Sequence, residues 1–184
     1  MPAFCAEAAR RHLCAANIRR MSDARWKPSV TVAAIIEDGG RFLLVEEHTA
    51  EGLRLNNPAG HLDRGESPLE GVVRETLEET ARHFLPQALL GIYLSRFQRP
   101  AAGEDVTYLR IAYSGSVGEE LPGRTYDEPI VRTLWLTADE IRASAARLRS
   151  PLVLRCIEDH LAGRRYPLEA LTTDASVYQP EIKG

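Results

Sequence analysis

Residues 60–82 read GHLDRGESPLEGVVRETLEETAR, and their pattern organises the rest of the chain. Ser67, Pro68 and Glu70 make a helix start: Ser67 caps, Pro68 takes the first turn, and Glu70 completes a capping box. The spacing predicts a helix from Pro68 to about His83. On a helical wheel Leu69, Val72, Val73, Thr76 and Leu77 share the side that packs on a sheet. Glu75, Glu78 and Glu79 stand at i, i+3 and i+4 on the other side, with Gly71 a turn earlier leaving room for a ligand to approach. Carboxylates roughly 6 Å apart repel by about 3 kcal/mol per pair at an effective dielectric near 20, so the patch calls for cations. Hard divalent ions with oxygen ligands, Mg²⁺ or Mn²⁺, suit an all-carboxylate set better than Zn²⁺ does. A solvated helix face on which Arg74 pairs with Glu78 and Glu70 is the plainer alternative.

Upstream, "SVTVAAII" from Ser29 and "FLLVEE" from Phe42 are apolar, strand-like runs joined by "EDGGR", which reads as a β-hairpin. Residues 51–66 hold Gly52, Pro58, Gly60 and Gly65 without periodicity and are read as a long loop. Downstream, "ALLGIYLSRF", "VTYLRIAYSGSV" and "VRTLWL" are read as strands, Thr137 with Glu140 opens a second helix, and a third runs from about Ser150 to Leu161 before Gly163. The order predicts an α/β (α+β) fold with a mixed sheet between helices.

The bulk composition narrows the possible partners. At 184 residues, 44% hydrophobic and 27% charged, one soluble domain is the default. A net charge of −3 provides no basic footprint for a nucleic-acid polymer. No run is long and apolar enough to span a bilayer, so no membrane partner is expected. Cys5, Cys14 and Cys156 form neither a disulfide framework nor a CxxC knuckle, which points to a reducing cytoplasm. Residues 1–25 are read as a loosely ordered extension carrying Arg10, Arg11, Arg19 and Arg20, a weak transit-like composition, with Met21 an alternative start. Residues 26–170 are read as the domain and 171–184 as an irregular tail, and oligomeric state is not legible.

The spacing Gly60, Glu66, Arg74-Glu75, Glu78-Glu79 resembles the Nudix box, GX5EX7REUXEEXGU with U aliphatic. Six of its seven fixed charged or glycine positions are present; Thr76 and Arg82 replace aliphatic residues and Ala81 replaces glycine. Ala81 lacks glycine's access to the left-handed conformation that ends helices, hence the expectation that the helix continues, with Phe84 supplying the apolar contact that Arg82 cannot. The resemblance implies a Nudix-type α/β/α sandwich that hydrolyses small-molecule phosphoanhydrides. It also implies that Glu75, Glu78, Glu79 and the Gly60 carbonyl hold the metals, that Arg74 orients the glutamates, and that Glu66 holds the loop. Asp127 and Glu128, just before a strand, are candidates for the acid that takes the proton of the attacking water; a solvated turn is the alternative.

Beyond the box the chain is similar to the NudJ-type Nudix phosphatases, on "KPSVTVAAII", "NNPAGHLDRGE", "LRSPLV" at Leu148 to Val153 and "GRRYPLE" at Gly163 to Glu169. Helix capping and packing would also explain the last two. That group is implied to remove terminal phosphate from nucleoside tri- and diphosphates and from thiamine-pathway pyrimidine pyrophosphates. Leu55 departs from an aromatic residue expected before Asn-Pro-Ala-Gly, which weakens an inference of base stacking. Arg110 and Arg149 are candidates to meet a phosphate or ring, or are surface ion pairs. A pyrophosphohydrolase cutting between the α and β phosphates, and a non-catalytic nucleotide-sensing module, are the rivals. Cys156 and His160 at i and i+4 lack a third ligand and read as a buried cysteine and a surface histidine.

Overall fold

The computed structural model describes residues 26–180; the extension read over 1–25 and the last residues of the tail, 181–184, lie outside the described residues. Strand β1 is Ser29–Asp38 and β2 is Arg41–Thr49. Gly39 and Gly40, at φ 56° and 79°, make the turn that only glycine enters cheaply at two consecutive positions. The segment read as a long loop carries two short strands, β3 (Gly52–Asn56) and β4 (Ala59–His61). Helix α1 (Pro68–Thr80) follows, then β5 (Phe84–Arg99), β6 (Glu104–Val117), β7 (Ile130–Thr137), α2 (Ala138–Ala143) and α3 (Pro151–Leu161).

β1 runs parallel to β6 over eight residue pairs and antiparallel to β4, and β5 closes the other side of β6. At its end β1 turns into β2, which pairs with β3 on one side and β7 on the other. The strands form a mixed sheet flanked by helices, the expected fold class. β1 is apolar from Val32 to Ile36 because both faces are covered there. Val32, Ala34 and Ile36 pack with Val72 of α1, whereas Ala33 and Ile35 pack with Ile141 of α2 and Val153, Cys156 and Ile157 of α3.

Helix α1 starts as read but stops earlier. Ser67 and Glu70 exchange both bonds of the capping box, Glu70 N–H to Ser67 Oγ at 3.2 Å and Ser67 N–H to Glu70 Oε2 at 2.8 Å. The helix ends at Thr80 rather than near His83, because Ala81 does enter the left-handed region (φ 53°, ψ 29°). Its N–H bonds to the Leu77 carbonyl and its own carbonyl accepts from Leu121 N–H at 2.9 Å; these bonds offset the roughly 1–2 kcal/mol that a Cβ costs in that conformation. Phe84 is buried as expected, and Arg82 turns out to bond Gly118 and Glu120. Thr76 and Thr80 are buried on the sheet side, each hydroxyl donating to the carbonyl four residues back. A threonine therefore substitutes for an aliphatic residue there without an unpaired polar atom.

Past α3, Tyr166 pairs with Leu89 through two backbone bonds of 2.8 and 2.9 Å. Leu168 and Leu171 pack on the α1 side of the core, and the Tyr178 hydroxyl donates to Glu70 at 2.9 Å. The segment after α3 thus runs back to the start of α1. Two 3₁₀ turns, Leu168–Ala170 and Ala175–Tyr178, are its regular structure.

Candidate active site

β4 is the hinge of the site, held from one side by α1 and open to a cleft on the other. Glu79 reaches it from α1 and accepts the Ala59 N–H at 2.8 Å, while Arg74 Nη2 donates to the His61 carbonyl at 3.0 Å. The Glu75 carboxyl lies directly over Gly60: a Cβ there would sit 2.1 Å from it, so only glycine leaves space for this carboxylate. Gly71 plays a different part from the one read in the sequence. It is buried, and a Cβ would meet Glu66 at 2.8 Å and Leu62 at 3.1 Å; it makes room for the preceding loop rather than for a ligand.

Arg74 is the centre of an ion network. Its guanidinium donates to Glu66 (2.7 and 3.0 Å), Glu75 (2.8 Å) and Glu78 (3.0 Å), with Asp63 at 3.7 Å. Glu70, the alternative partner, is engaged by Ser67 and Tyr178 instead. Hydrogen bonds from Arg74 hold Glu66 below the usual carboxylate range. Glu75 is raised, its burial outweighing the Arg74 contact. Glu79 is raised well above the usual range because it is almost wholly withdrawn from water, with the Ala59 bond offsetting part of this and Glu75 and Glu47 adding repulsion. A desolvated carboxylate facing two others is the state that a bound cation relieves.

Among the described residues no three His, Cys, Asp or Glu side chains enclose an ion-sized space as they stand. Arg74 lies between Glu75 and Glu78, and Glu79 is turned to Ala59. The donor chemistry nevertheless fits a hard divalent ion. The candidate donors, Glu75, Glu78, Glu79 and the Gly60 carbonyl, are all oxygens, and Gly60 leaves the space for Glu75.

On the far side of β4 opens a cleft of about 460 Å³, the size of small-ligand sites. Arg110 and Arg149 both line it. Arg110, on β6, is buried, and burial lowers its pKa while the nearby Cys156, Glu47 and Glu79 act the other way. Arg149, exposed before α3, donates its backbone N–H to Leu55 and brings its Nε within 3.6 Å of Glu47. Asp127 and Glu128 are exposed and do not line the cleft, though Asp127 N–H donates to the Glu78 carbonyl at 3.1 Å and so pins that segment beside the acids. Leu55 is wholly buried against Leu148, so the aromatic expected at that position would enter the core, and its absence bears on packing rather than on stacking. Cys156 is buried as read, but His160 is half-buried with its ring edge-on to Phe42 at 5.5 Å.

Glu47 was not singled out by the sequence. It lines the cleft, accepts from Asn56 Nδ2 at 3.2 Å, and burial raises its pKa. The pairing of β2 with β7 slips between Glu46 and Glu47, so alternation along the strand does not reveal which of the two faces the cleft.

The chain matches the NUDIX domain over residues 25–156, a span that contains the acidic helix, β4 and the residues lining the cleft. It belongs to the Nudix family. The Nudix chain is 37% identical over 147 residues to Phosphatase NudJ of Escherichia coli K12, covering 79% of this chain and 92% of that protein, and the figures are the same for Phosphatase NudJ of Shigella flexneri. A solved NUDIX hydrolase from Nitrosomonas europaea is 49% identical with a TM-score of 0.74, covering 80% of this chain and 98% of that one. The protein is a Nudix hydrolase, acting on phosphoanhydrides, a family that generally uses divalent metals. The diagnostic "LRSPLV" segment does two jobs: Leu148 and Val153 pack in the core, and Arg149 to Leu152 form a cleft wall. No helix among the described residues is long and apolar enough to cross a membrane.

Proposed function

We propose that the chain is a Mg²⁺-dependent phosphatase, Mn²⁺ being an acceptable substitute, that removes the terminal phosphate from nucleoside tri- and diphosphates and from thiamine-pathway pyrimidine pyrophosphates in a reducing cytoplasm. The observation that carries this reading is the desolvated Glu79 beside Glu75, over Gly60, at the edge of a cleft large enough for a nucleoside. The kinship with proteins named Phosphatase NudJ supports the choice of the outer bond.

Glu75, Glu78, Glu79 and the Gly60 carbonyl would hold the divalent ion, which when bound neutralises phosphate oxygens and lowers the pKa of a bound water. Arg74 fixes the orientation of Glu75 and Glu78 through its two short bonds, and Glu66 fixes Arg74. Asp127 or Glu128 takes the proton of the attacking water, from a segment tied to the Glu78 carbonyl. Arg110 and Arg149 offer guanidinium donors to the part of the substrate in the cleft. Seating depth then selects which anhydride reaches the acids.

The test is product analysis. With GTP and Mg²⁺, anion-exchange chromatography early in the reaction should show GDP and orthophosphate first, with GMP forming more slowly. Early GMP with stoichiometric pyrophosphate would replace the phosphatase by the pyrophosphohydrolase. Tight nucleotide binding without any product would replace it by the sensing module.

A further inference from the structure

Two consecutive glutamates on β2 are treated differently by their surroundings. Glu46 has both carboxylate oxygens taken, Oε2 by Arg132 Nε at 2.7 Å and Oε1 by Arg147 Nη2. Glu47 has only one taken. Asn56 Nδ2 donates to its Oε1 at 3.2 Å, and Arg149 Nε faces the same oxygen at 3.6 Å. Oε2 meets no donor among the described residues, and it is not one of the polar atoms shut off from solvent. The Glu47 side chain keeps 13% of its surface exposed and lines the cleft, so Oε2 opens toward the space where a ligand would lie. The pairing of β2 with β7 slips between these two glutamates, the kind of irregularity that re-aims a side chain beside a ligand site.

What Oε2 lacks is a donor rather than a countercharge. Burial opposes ionisation of Glu47, and Arg149, Asn56 and Arg110 stand near enough to act the other way. An ionised substrate phosphate cannot supply the missing bond, because it is an acceptor of the same sign. The part of the substrate that can is the leaving group, through an N–H or an O–H. A carboxylate only accepts, so a leaving group without a donor at that point leaves Oε2 stripped of water and unpaired, a mismatch that sites built around a hydrogen bond reject strongly.

We propose that Glu47 determines leaving-group specificity, its Oε2 accepting a hydrogen bond from an N–H or O–H of the leaving group while Asn56 and Arg149 hold Oε1. The inference rests on a phosphoanhydride substrate seated in the cleft, and it names what the cleft asks of the group that departs. A base and a sugar hydroxyl share that chemistry, and substrates that each lack one donor tell them apart.

GTP carries donors at the ring N1–H, at the exocyclic amine and at the ribose hydroxyls; 1-methyl-GTP, ITP and 2′,3′-dideoxy-GTP lack these in turn. With Mg²⁺ and the full chain, kcat/KM measured as disappearance of the nucleotide should fall at least about tenfold for one of the analogues. Glu47→Ala should bring that analogue to within about threefold of GTP. Glu47→Gln should go further. The Arg149 Nε–H can only donate, so it draws the glutamine oxygen and leaves the amide nitrogen in the place of Oε2; a donor then faces a donor, and the analogue should match or overtake GTP. Ratios taken within each variant cancel any common loss of turnover. Rates for all the analogues within about threefold of GTP on the wild-type chain overturn the proposal without any variant having to fold. A disadvantage that survives both substitutions overturns it as well. GMP and pyrophosphate as first products would overturn the phosphatase reading alone, because the ratios hold whichever anhydride breaks.

Discussion

Arg74 and Glu79 lie little more than one turn apart on α1, and their surroundings are opposites. Around Arg74 the carboxylates of Glu66, Glu75 and Glu78 take short guanidinium bonds, and Glu66 sits below its usual range in consequence. Around Glu79 the charge is desolvated, faced by Glu75 and Glu47, and met only by a backbone N–H and the more distant Arg110. The same contrast recurs on β2. Glu46 is gripped by Arg132 and Arg147, and Arg132 first of all holds its carboxyl below the usual range, whereas burial raises Glu47 next to it. On the proposed function, the satisfied acids hold the scaffold and the frustrated ones stand where a substrate and its cation would be received.

The largest effect should come from ending the frustration. Glu79→Gln is expected to lower kcat by more than about a hundredfold under saturating Mg²⁺, while the melting temperature in metal-free buffer holds or rises because a desolvated charge is gone. A variant keeping above about a tenth of the wild-type rate would remove Glu79 from the ligand set. Next comes Gly60→Ala, whose Cβ would land 2.1 Å from the Glu75 carboxyl. Because only a side-chain end must move, we expect kcat to fall about ten- to a hundredfold with little change in melting temperature. Unaltered turnover would show that the position of Glu75 over Gly60 is incidental.

On the satisfied side the effects are on stability. Glu46 has a folded pKa below its ordinary value of 4.5, so its contribution is present at neutral pH and is lost as pH falls through the lowered value. Glu46→Gln should therefore melt earlier at pH 7, by the equivalent of about 1 kcal/mol given its half-exposed arginine partners, with the gap closing below pH 4.5. A gap independent of pH would refute the ion-pair account. The smallest effect is assigned to Ala81→Gly. Relief of the left-handed strain, about 1 kcal/mol, nearly cancels the buried methyl lost, about 0.8 kcal/mol, so denaturant unfolding should place the variant within about 0.5 kcal/mol of wild type.

What the sequence showed was local chemistry. The start of α1 is written in Ser67, Pro68 and Glu70, the β1–β2 turn in two glycines, and the acidic patch in a spacing that survives any tertiary context. The end of α1 is not written locally, because a bond that holds Ala81 comes from Leu121, forty residues on. β3 and β4 escaped notice because strands of five and three residues gain their order from the neighbours they pair with, not from their own pattern. The cleft was illegible for the same reason: Thr31, Asn56, Tyr108 and Ser150 are unremarkable in their own segments and meet only when β1, β3, β6 and the start of α3 are assembled.

Three residues of β4 separate the acids from the cleft, and that partition bears on how such an enzyme diversifies. On the proposed function, substitutions on the cleft side, in the β5–β6 hairpin or ahead of α3, would exchange one leaving group for another without moving a carboxylate of α1. Changes to Gly60 or Glu79 would, on the same reading, strike every substrate alike. Duplicated copies of such a chain could then part company in taste through wall residues alone, with the acids of α1 left in place.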